Sequence, residues 1–257
     1  MLLVVDVGNT QTHFGVFDGD RLLEHWRFAT VRQSTSDELG AALQNLLALR
    51  GMGFADLTGA ILSSTVPQLR PEWTRMAARY LEQEMLVVGP QLRTGMPIRM
   101  DNPRELGADR LVNAVAAYAR FGDRPVVVAD LGTALTFDVV SARGEYLGGI
   151  ICPGVEISME ALTQRAAALP KIDLTPPTHL IGKGTVDAIR SGIVYGFAGQ
   201  VDGIVGRLRA ELGEIDTIAT GGLANAIIPY SEQIETIDDL LTLEGLRIIS
   251  ERQTAPA

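Results

Sequence analysis

Hydrophobic and polar positions fall into the same order twice along this chain. Leu2-Leu3-Val4-Val5 is an apolar run closed by Asp6, as expected of a short buried strand. Residues 13–17 and 21–28 predict two more strands, and Asp18-Gly19 between them is a hairpin-turn signal. Ser36-Asp37-Glu38 opens a helix in which Leu39, Leu43, Leu46 and Leu47 recur at helical spacing, and Gly51 and Gly53 end it. A strand over 60–64, a helix over 71–81 and a strand over 85–88 follow. The second half repeats the order. Strands are predicted over 126–130, 135–140 and 145–151, with Arg143-Gly144 at the turn before the third. Helices follow over 155–168 and 186–212, then a strand over 215–220 and a terminal helix over 237–246.

A three-strand meander followed by alternating helix and strand, present twice, predicts two similar α/β domains, 1–115 and 116–257, with a cleft between them. The helix Ala108–Phe121 would bridge the halves. Residues 90–102, with Gly95 and Pro97 and then Pro103, read as a long surface excursion. No low-complexity tract interrupts the pattern.

The repeat matters most at its first turn. In each half an apolar strand delivers an Asp, then a Gly, then a hydroxyl residue: Asp6-Val7-Gly8-Asn9-Thr10 and Asp130-Leu131-Gly132-Thr133-Ala134-Leu135-Thr136. A hairpin of this composition can hold a phosphate and its metal. Gly permits close backbone approach, turn N–H groups and hydroxyls donate to phosphate oxygens, and Asp can bind a hard cation. One such turn is common chemistry; two at matching places in a repeated topology point to a polyphosphate gripped from both sides.

Other segments stay open on spacing alone. Thr220-Gly221-Gly222-Leu223-Ala224 ends a strand, and is either a plain strand-to-helix turn or bare backbone against which a base or ribose lies. Gly107-Ala108-Asp109-Arg110 opens the bridging helix. Asp109 there is either an N-cap or first-turn acid favoured by the helix dipole, or a carboxylate held in place to accept a hydroxyl proton. Gly182-Lys183-Gly184-Thr185 lacks the spacing of a P-loop, and Thr185 reads most simply as the N-cap of the next helix. Gly148-Gly149 and Pro153-Gly154 line a pocket or merely shape a turn. His13, His25 and His179 have no metal-ligand spacing; His25 reads as a surface strand residue, and His13 lies near enough to the first hairpin to touch a phosphate.

Composition narrows the partners. The formal net charge is -9 over 257 residues, which leaves no electrostatic footprint for nucleic acid. An acidic protein that binds a nucleotide would need Mg²⁺, with or without another cation, at the site. Hydrophobic residues make up 46% of the chain, enough for a well-buried core. Cys152 is the one cysteine, so neither a disulfide framework nor a thiolate zinc site is expected, and it reads as a small core residue. No targeting segment and no membrane-length apolar run is visible, which makes the cytoplasm the expected location.

Taken together, these segments resemble the type III pantothenate kinases, of the acetate and sugar kinase/Hsp70/actin superfamily. The resemblance runs nearly end to end. It is carried by Asp6 to Thr10, Asp101-Asn102-Pro103, Gly107 to Arg110 with Asn113-Ala114, Asp130 to Ala134, Gly148-Gly149 with Pro153-Gly154, and Ser191-Gly192 with Tyr195-Gly196. It implies two actin- or ribonuclease H-like domains, each a mixed sheet flanked by helices, around a nucleotide cleft. The activity implied is ATP-dependent phosphorylation of pantothenate to 4′-phosphopantothenate, the first step toward coenzyme A. Asp109 becomes the catalytic base. Asp6, Gly8, Asn9, Thr10, Gln11, Thr12 and His13 fall on the phosphates and Mg²⁺, with Asp6 as a metal ligand. Asp130 falls on a monovalent cation, K⁺ or ammonium, and Thr133 on ATP. Met100, Gly107, Ala108, Asp109, Arg110 and Thr185 fall on pantothenate, and a homodimer is implied. Met100 stands where the family often has Tyr, and Gly184 where it often has Asn. Met can cover an apolar dimethyl group but supplies no phenolic hydrogen bond.

Two other readings share this fold: a non-catalytic accessory protein of gene regulation, or a kinase or phosphatase acting on another small molecule. The intact acidic and glycine residues argue against the first, and substrate profiling separates the second.

Overall fold

The computed structural model describes residues 1–89, 91–166, 169, 170 and 172–254. By its internal contacts the chain divides into two compact units. The first takes residues 1–96, 101–116 and the C-terminal helix; the second takes 97–100 and 117–240.

The first unit is built on a mixed sheet of order β3-β2-β1-β4-β5. Its strands are β1 (Leu2–Val7), β2 (Gln11–Asp18), β3 (Arg21–Ala29), β4 (Gly59–Ser64) and β5 (Met85–Val87). β1 runs antiparallel to β2 and parallel to β4. The apolar run of β1 is central and covered on both faces, which is why it reads as continuous rather than alternating. Helix α1 (Ser36–Ala48) begins with a capping box in which Thr35 and Glu38 satisfy each other's backbone donors. Its Leu39, Leu43 and Leu47 join Val5, Phe14, Leu62 and Trp73 in the core. Helix α2 (Arg70–Met76) runs into a π-helical turn, Ala77–Leu81, and stops at Glu82 in a left-handed conformation (φ 54°).

The second unit repeats the meander. β6 (Val126–Leu131), β7 (Ala134–Val140), β8 (Tyr146–Pro153) and β9 (Asp216–Thr220) form a sheet of order β8-β7-β6-β9, with β6 parallel to β9. Helix α3 (Ala108–Phe121) precedes it, and α4 (Val155–Arg165), α5 (Thr185–Leu212) and the short α6 (Ala224–Ile227) complete it. Val127, Phe137, Val194, Phe197 and Val201 lie in its core. Helix α4 stops at Arg165, short of the predicted residue 168; residues 167 and 168 lie outside the described residues. Tyr146 and Asp138 are both fully buried, and the tyrosine hydroxyl donates to Asp138 Oδ1 at 2.5 Å.

Three expectations change. The segment 90–102 is more than a surface excursion: Arg99 N–H donates to Tyr146 O, and Tyr146 N–H to Pro97 O, each at 2.8 Å, so residues 97–99 extend the β8 edge. Pro90 lies outside the described residues. The terminal helix is α7 (Leu241–Thr254), not 237–246. Residues before it pair with β9 instead, Ala219 N–H donating to Thr236 O and Asp238 N–H to Ala219 O, both at 2.8 Å, and Asp238 then caps the turn by accepting from Leu240 N–H. Finally, a cut at residue 115 leaves α7 with the second half, whereas it packs on the first sheet. Leu243, Leu246 and Ile249 form its buried face, and Arg247 lies over the Phe17 ring. No helix among the described residues is long and apolar enough to cross a membrane.

Candidate active site

The first hairpin joins β1 to β2. Gly8 N–H donates to Gln11 O at 3.0 Å, and a Cβ on Gly8 would lie 2.9 Å from that same oxygen, so a side chain there would force the turn open. Asn9, Thr10 and Gln11 are exposed, and Asp6 is half-buried at the strand end. Thr10 O accepts from Thr30 N–H at 2.9 Å, tying the loop to the end of β3. Thr12 and His13 are buried on β2 instead. The Thr12 hydroxyl bonds to that of Thr30 at 2.9 Å, and His13 Nε2 meets His25 Nδ1 at 3.1 Å. Burial, helped by Arg27 and His25, lowers the His13 pKa to about 3, so the ring is neutral.

The second hairpin is the same device one residue tighter. Residues 132–134 intervene between the paired Leu131 and Leu135, against 8–11 between Val7 and Thr12. Gly132 N–H donates to Ala134 O at 3.1 Å. Thr133 is exposed at the tip, and Asp130 is half-buried opposite Thr136. Two glycines elsewhere in the chain close around this turn. A Cβ on Gly154 would sit 2.1 Å from Thr133 O. One on Gly221 (φ +97°) would sit 2.4 Å from Asp130 Oδ1. Gly154 is therefore part of the hairpin's support, and Gly221 brings the Thr220–Gly222 turn against the Asp130 carboxylate. The two segments that were ambiguous as sequence share one site within the second unit.

Asp109 occupies the first turn of α3. Its carboxylate folds back over the helix start, where a Cβ on Gly107 would approach Oδ1 to 2.6 Å. Loss of water around the carboxyl raises its pKa, outweighing the opposite pull of the Arg110 charge and of the N–H groups of Arg110 and Asp109. A raised carboxylate at a helix start is a stronger proton acceptor than an exposed one. Leu111 N–H bonds to Gly107 O at 3.1 Å, so Gly107 serves as the helix entrance.

Thr185 is the first residue of α5 and is exposed; Gly184 takes the N-cap position with no side-chain cap, which corrects the expectation that Thr185 caps the helix. Gly182 lies tight against the first turn of that helix, its notional Cβ 2.3 Å from Ala188 N. Met100 is half-buried and falls in the second unit, while Gly107, Ala108, Asp109 and Arg110 fall in the first. Cys152 is half-buried on β8, beside the core rather than within it.

Two residues escape a reading of the sequence. Arg32 donates to Asn9 Oδ1 at 3.3 Å and so brings an exposed cation to the first hairpin. Ser63, on β4, is in register with Asp6; its hydroxyl is fully buried and, among the described residues, has no hydrogen-bond partner. No motif marks either one, because each acts across the fold. Among the described residues no group of three or more His, Cys, Asp or Glu could by itself hold a metal ion.

Comparison with known proteins comes to the same place as the geometry. Residues 2–207 match a family model described as type III pantothenate kinase. The chain is 51% identical to a type III pantothenate kinase of Myxococcus xanthus, over 99% of this chain and all of that one. It is 50% identical to another from Moorella thermoacetica, again over 99% and 100%. Among solved structures it is similar to a ROK family glucokinase of Streptomyces griseus, with a TM-score of 0.52, 17% identity and coverage of 98% and 99% of the two chains. That likeness concerns the fold alone, two mixed sheets flanked by helices.

Proposed function

The chain belongs to the type III pantothenate kinase family, and on that premise we propose that it transfers the γ-phosphoryl group of ATP to the 4′ hydroxyl of pantothenate, the first step toward coenzyme A. The observation that carries this reading is the repeated glycine hairpin, each copy placing an aspartate at a strand end just before a tight turn. Asn9, Thr10, Gln11 and the Gly8 backbone would face the phosphates from the first unit, with Thr12 and His13 holding the strand beneath them. Thr133 would do the same from the second, and Gly221-Gly222 would lie along the nucleoside. Gly107, Ala108, Arg110, Met100 and Thr185 would contact pantothenate.

The donor chemistry fits the ions this reaction uses. Mg²⁺ favours one or two carboxylates with the rest of its shell from phosphate and water, and Asp6 offers such a carboxylate next to the buried Ser63 hydroxyl. Asp130, closed in by Gly132 and Gly221, would hold the monovalent cation. Bound there, the two ions supply neutralisation of charge on the β- and γ-phosphates. The chain itself supplies position. Phosphoryl transfer passes through a loose transition state, so alignment of hydroxyl and phosphorus carries most of the catalysis. Asp109 accepts the hydroxyl hydrogen bond and takes the proton as the new O–P bond forms and the bond to ADP breaks. Leu147 and Ile151, exposed on the edge strand β8, are apolar side chains that a homodimer would cover, and a cytoplasmic location suits the substrates.

The test is ADP release from Mg²⁺-ATP, with and without pantothenate and K⁺, for the parent and Asp109→Asn. Pantothenate- and K⁺-dependent turnover that disappears in the variant is expected. A folded parent that binds ATP but turns over no pantothenate would overturn the assignment.

A further inference from the structure

The C-terminal helix is gripped by the helix that carries Asp109. Thr242 Oγ1 donates to Asn113 Oδ1 at 2.7 Å, and Asn113 is almost fully buried. One turn further along α7, Gly245 approaches the α3 backbone so closely that a Cβ there would lie 2.2 Å from Val112 O and 2.8 Å from Val112 Cγ1. Val112 and Asn113 follow Asp109 by three and four residues, so they lie on the same side of α3, one turn below the carboxylate. The same helix also reaches the segment that leads into Met100. Gln253 Nε2 donates to Arg93 O at 2.7 Å, Arg93 N–H donates to Gln253 Oε1 at 3.3 Å, and Arg252 donates to Thr94 O. Gly95, at φ +71°, leaves room for the Arg252 guanidinium, which a Cβ there would meet at 2.8 Å.

We infer that α7 is a brace for the acceptor side of the reaction, with Thr242 and Gly245 as positioning residues that set the placement of Asp109 through Asn113 and Val112. The inference rests on the reading of Asp109 as the base. Its physical content is rigidity. A helix end is held only by its cap and its packing, and α3 opens on Gly107, which adds no side-chain contact. A contact one turn into the helix, made by a buried hydrogen bond and a backbone approach with no slack, fixes both the rotation and the height of α3. Displacing a reacting group by about 1 Å can cost about 100-fold in rate, and a helix released at this contact has that freedom. The hydrogen bond and the close approach both lie between α7 and α3, so their loss should spare nucleotide affinity.

The experiment compares Thr242→Val, Thr242→Ser, Gly245→Ala and Asp109→Asn in the full-length protein, at a temperature where all are folded by circular dichroism. Valine keeps the shape of threonine and removes the donor; serine keeps the donor. We expect Thr242→Val to lower kcat by about 10-fold with KM for Mg²⁺-ATP within about 2-fold of the parent, and Thr242→Ser to return most of the lost rate. Gly245→Ala, which must push the helices apart, should lower kcat further. The inference is overturned if Thr242→Val keeps the parental kcat, if serine rescues nothing, or if kcat and KM for Mg²⁺-ATP deteriorate together with the urea midpoint, the mark of general loosening. Failure of the underlying reading looks different: Asp109→Asn would then retain turnover whatever the Thr242 variants do.

Discussion

His13 and His25 meet across β2 and β3, Nε2 to Nδ1 at 3.1 Å, with the rings edge to face and their centroids 5.3 Å apart. Only His13 is buried, and it stands opposite Asp6 on one side and Arg27 on the other. A proton on His13 would lose its hydration and face Arg27 and His25, hence a pKa of about 3 against an ordinary 6.5. The first hairpin therefore rests on a neutral imidazole.

Acid should destabilise the ligand-free protein through this ring. A folded-state pKa below the unfolded value contributes stability that is complete above 6.5 and is lost as pH falls toward 3. At pH 4.5 the loss should be about 2 kcal/mol, less than the full two units of linkage because water reaches the His25 side. Urea unfolding at pH 7 and 4.5 measures it. His13→Gln should be less stable at pH 7 and lose less on acidification; equal pH slopes in parent and variant would refute the account.

Gly221 and Gly222 should separate cleanly. At Gly221 a side chain meets Asp130 Oδ1 at 2.4 Å and the Leu131 backbone N at 2.7 Å, with φ at +97°. Gly221→Ala is expected to cost about 2 kcal/mol or more of stability and to raise KM for ATP about 10-fold or more by displacing Asp130. Gly222 has open space where its Cβ would be. Gly222→Ala should melt with the parent yet still raise KM for ATP, since its methyl would stand on the face proposed for the nucleoside. Thermal melts with ATP titrations check both. A Gly222→Ala protein with parental ATP affinity would remove the nucleoside from this turn.

How far the sequence reaches is clear from which features are local. The two hairpins were legible because strand, Asp and Gly lie within a few residues and recur in a repeated topology. So was α1, whose leucine spacing and Thr35–Glu38 cap are both short-range. The helix predicted over 237–246 failed because Ile234, Ile237 and Leu241 are spaced as in a helix, while the backbone of 236–238 has a better use as a partner for β9. Assignment of α7 to the first sheet, Arg32 against Asn9, and Thr242 against Asn113 span 23 residues or more. Periodicity carries no information about pairings of that length. At Asp109 the sequence held two meanings: the structure shows the first, a first-turn acid, and the second, a proton acceptor, is the role proposed for it.

The proposed role leads to the last prediction. Burial raises the Asp109 pKa against the pull of Arg110 and the helix-start N–H groups. A base must be ionised to accept a proton, so kcat/KM should rise with pH along a limb centred above the ordinary carboxylate value of 3.8. Asp109→Asn should lower kcat by about 100- to 10,000-fold, and its residual rate should lack that limb. Stability should move the other way. A carboxyl whose folded pKa is raised favours the folded state fully below the unfolded pKa, and that contribution is lost as pH rises through the folded pKa. Ionised Asp109 is therefore a cost at neutral pH. In the absence of ligands Asp109→Asn should unfold at higher urea than the parent at pH 7, with the gain shrinking as pH falls toward 4. An inactive variant without that gain would mean that Asp109 is placed for catalysis with no penalty from its burial; an active one would remove it from the reaction.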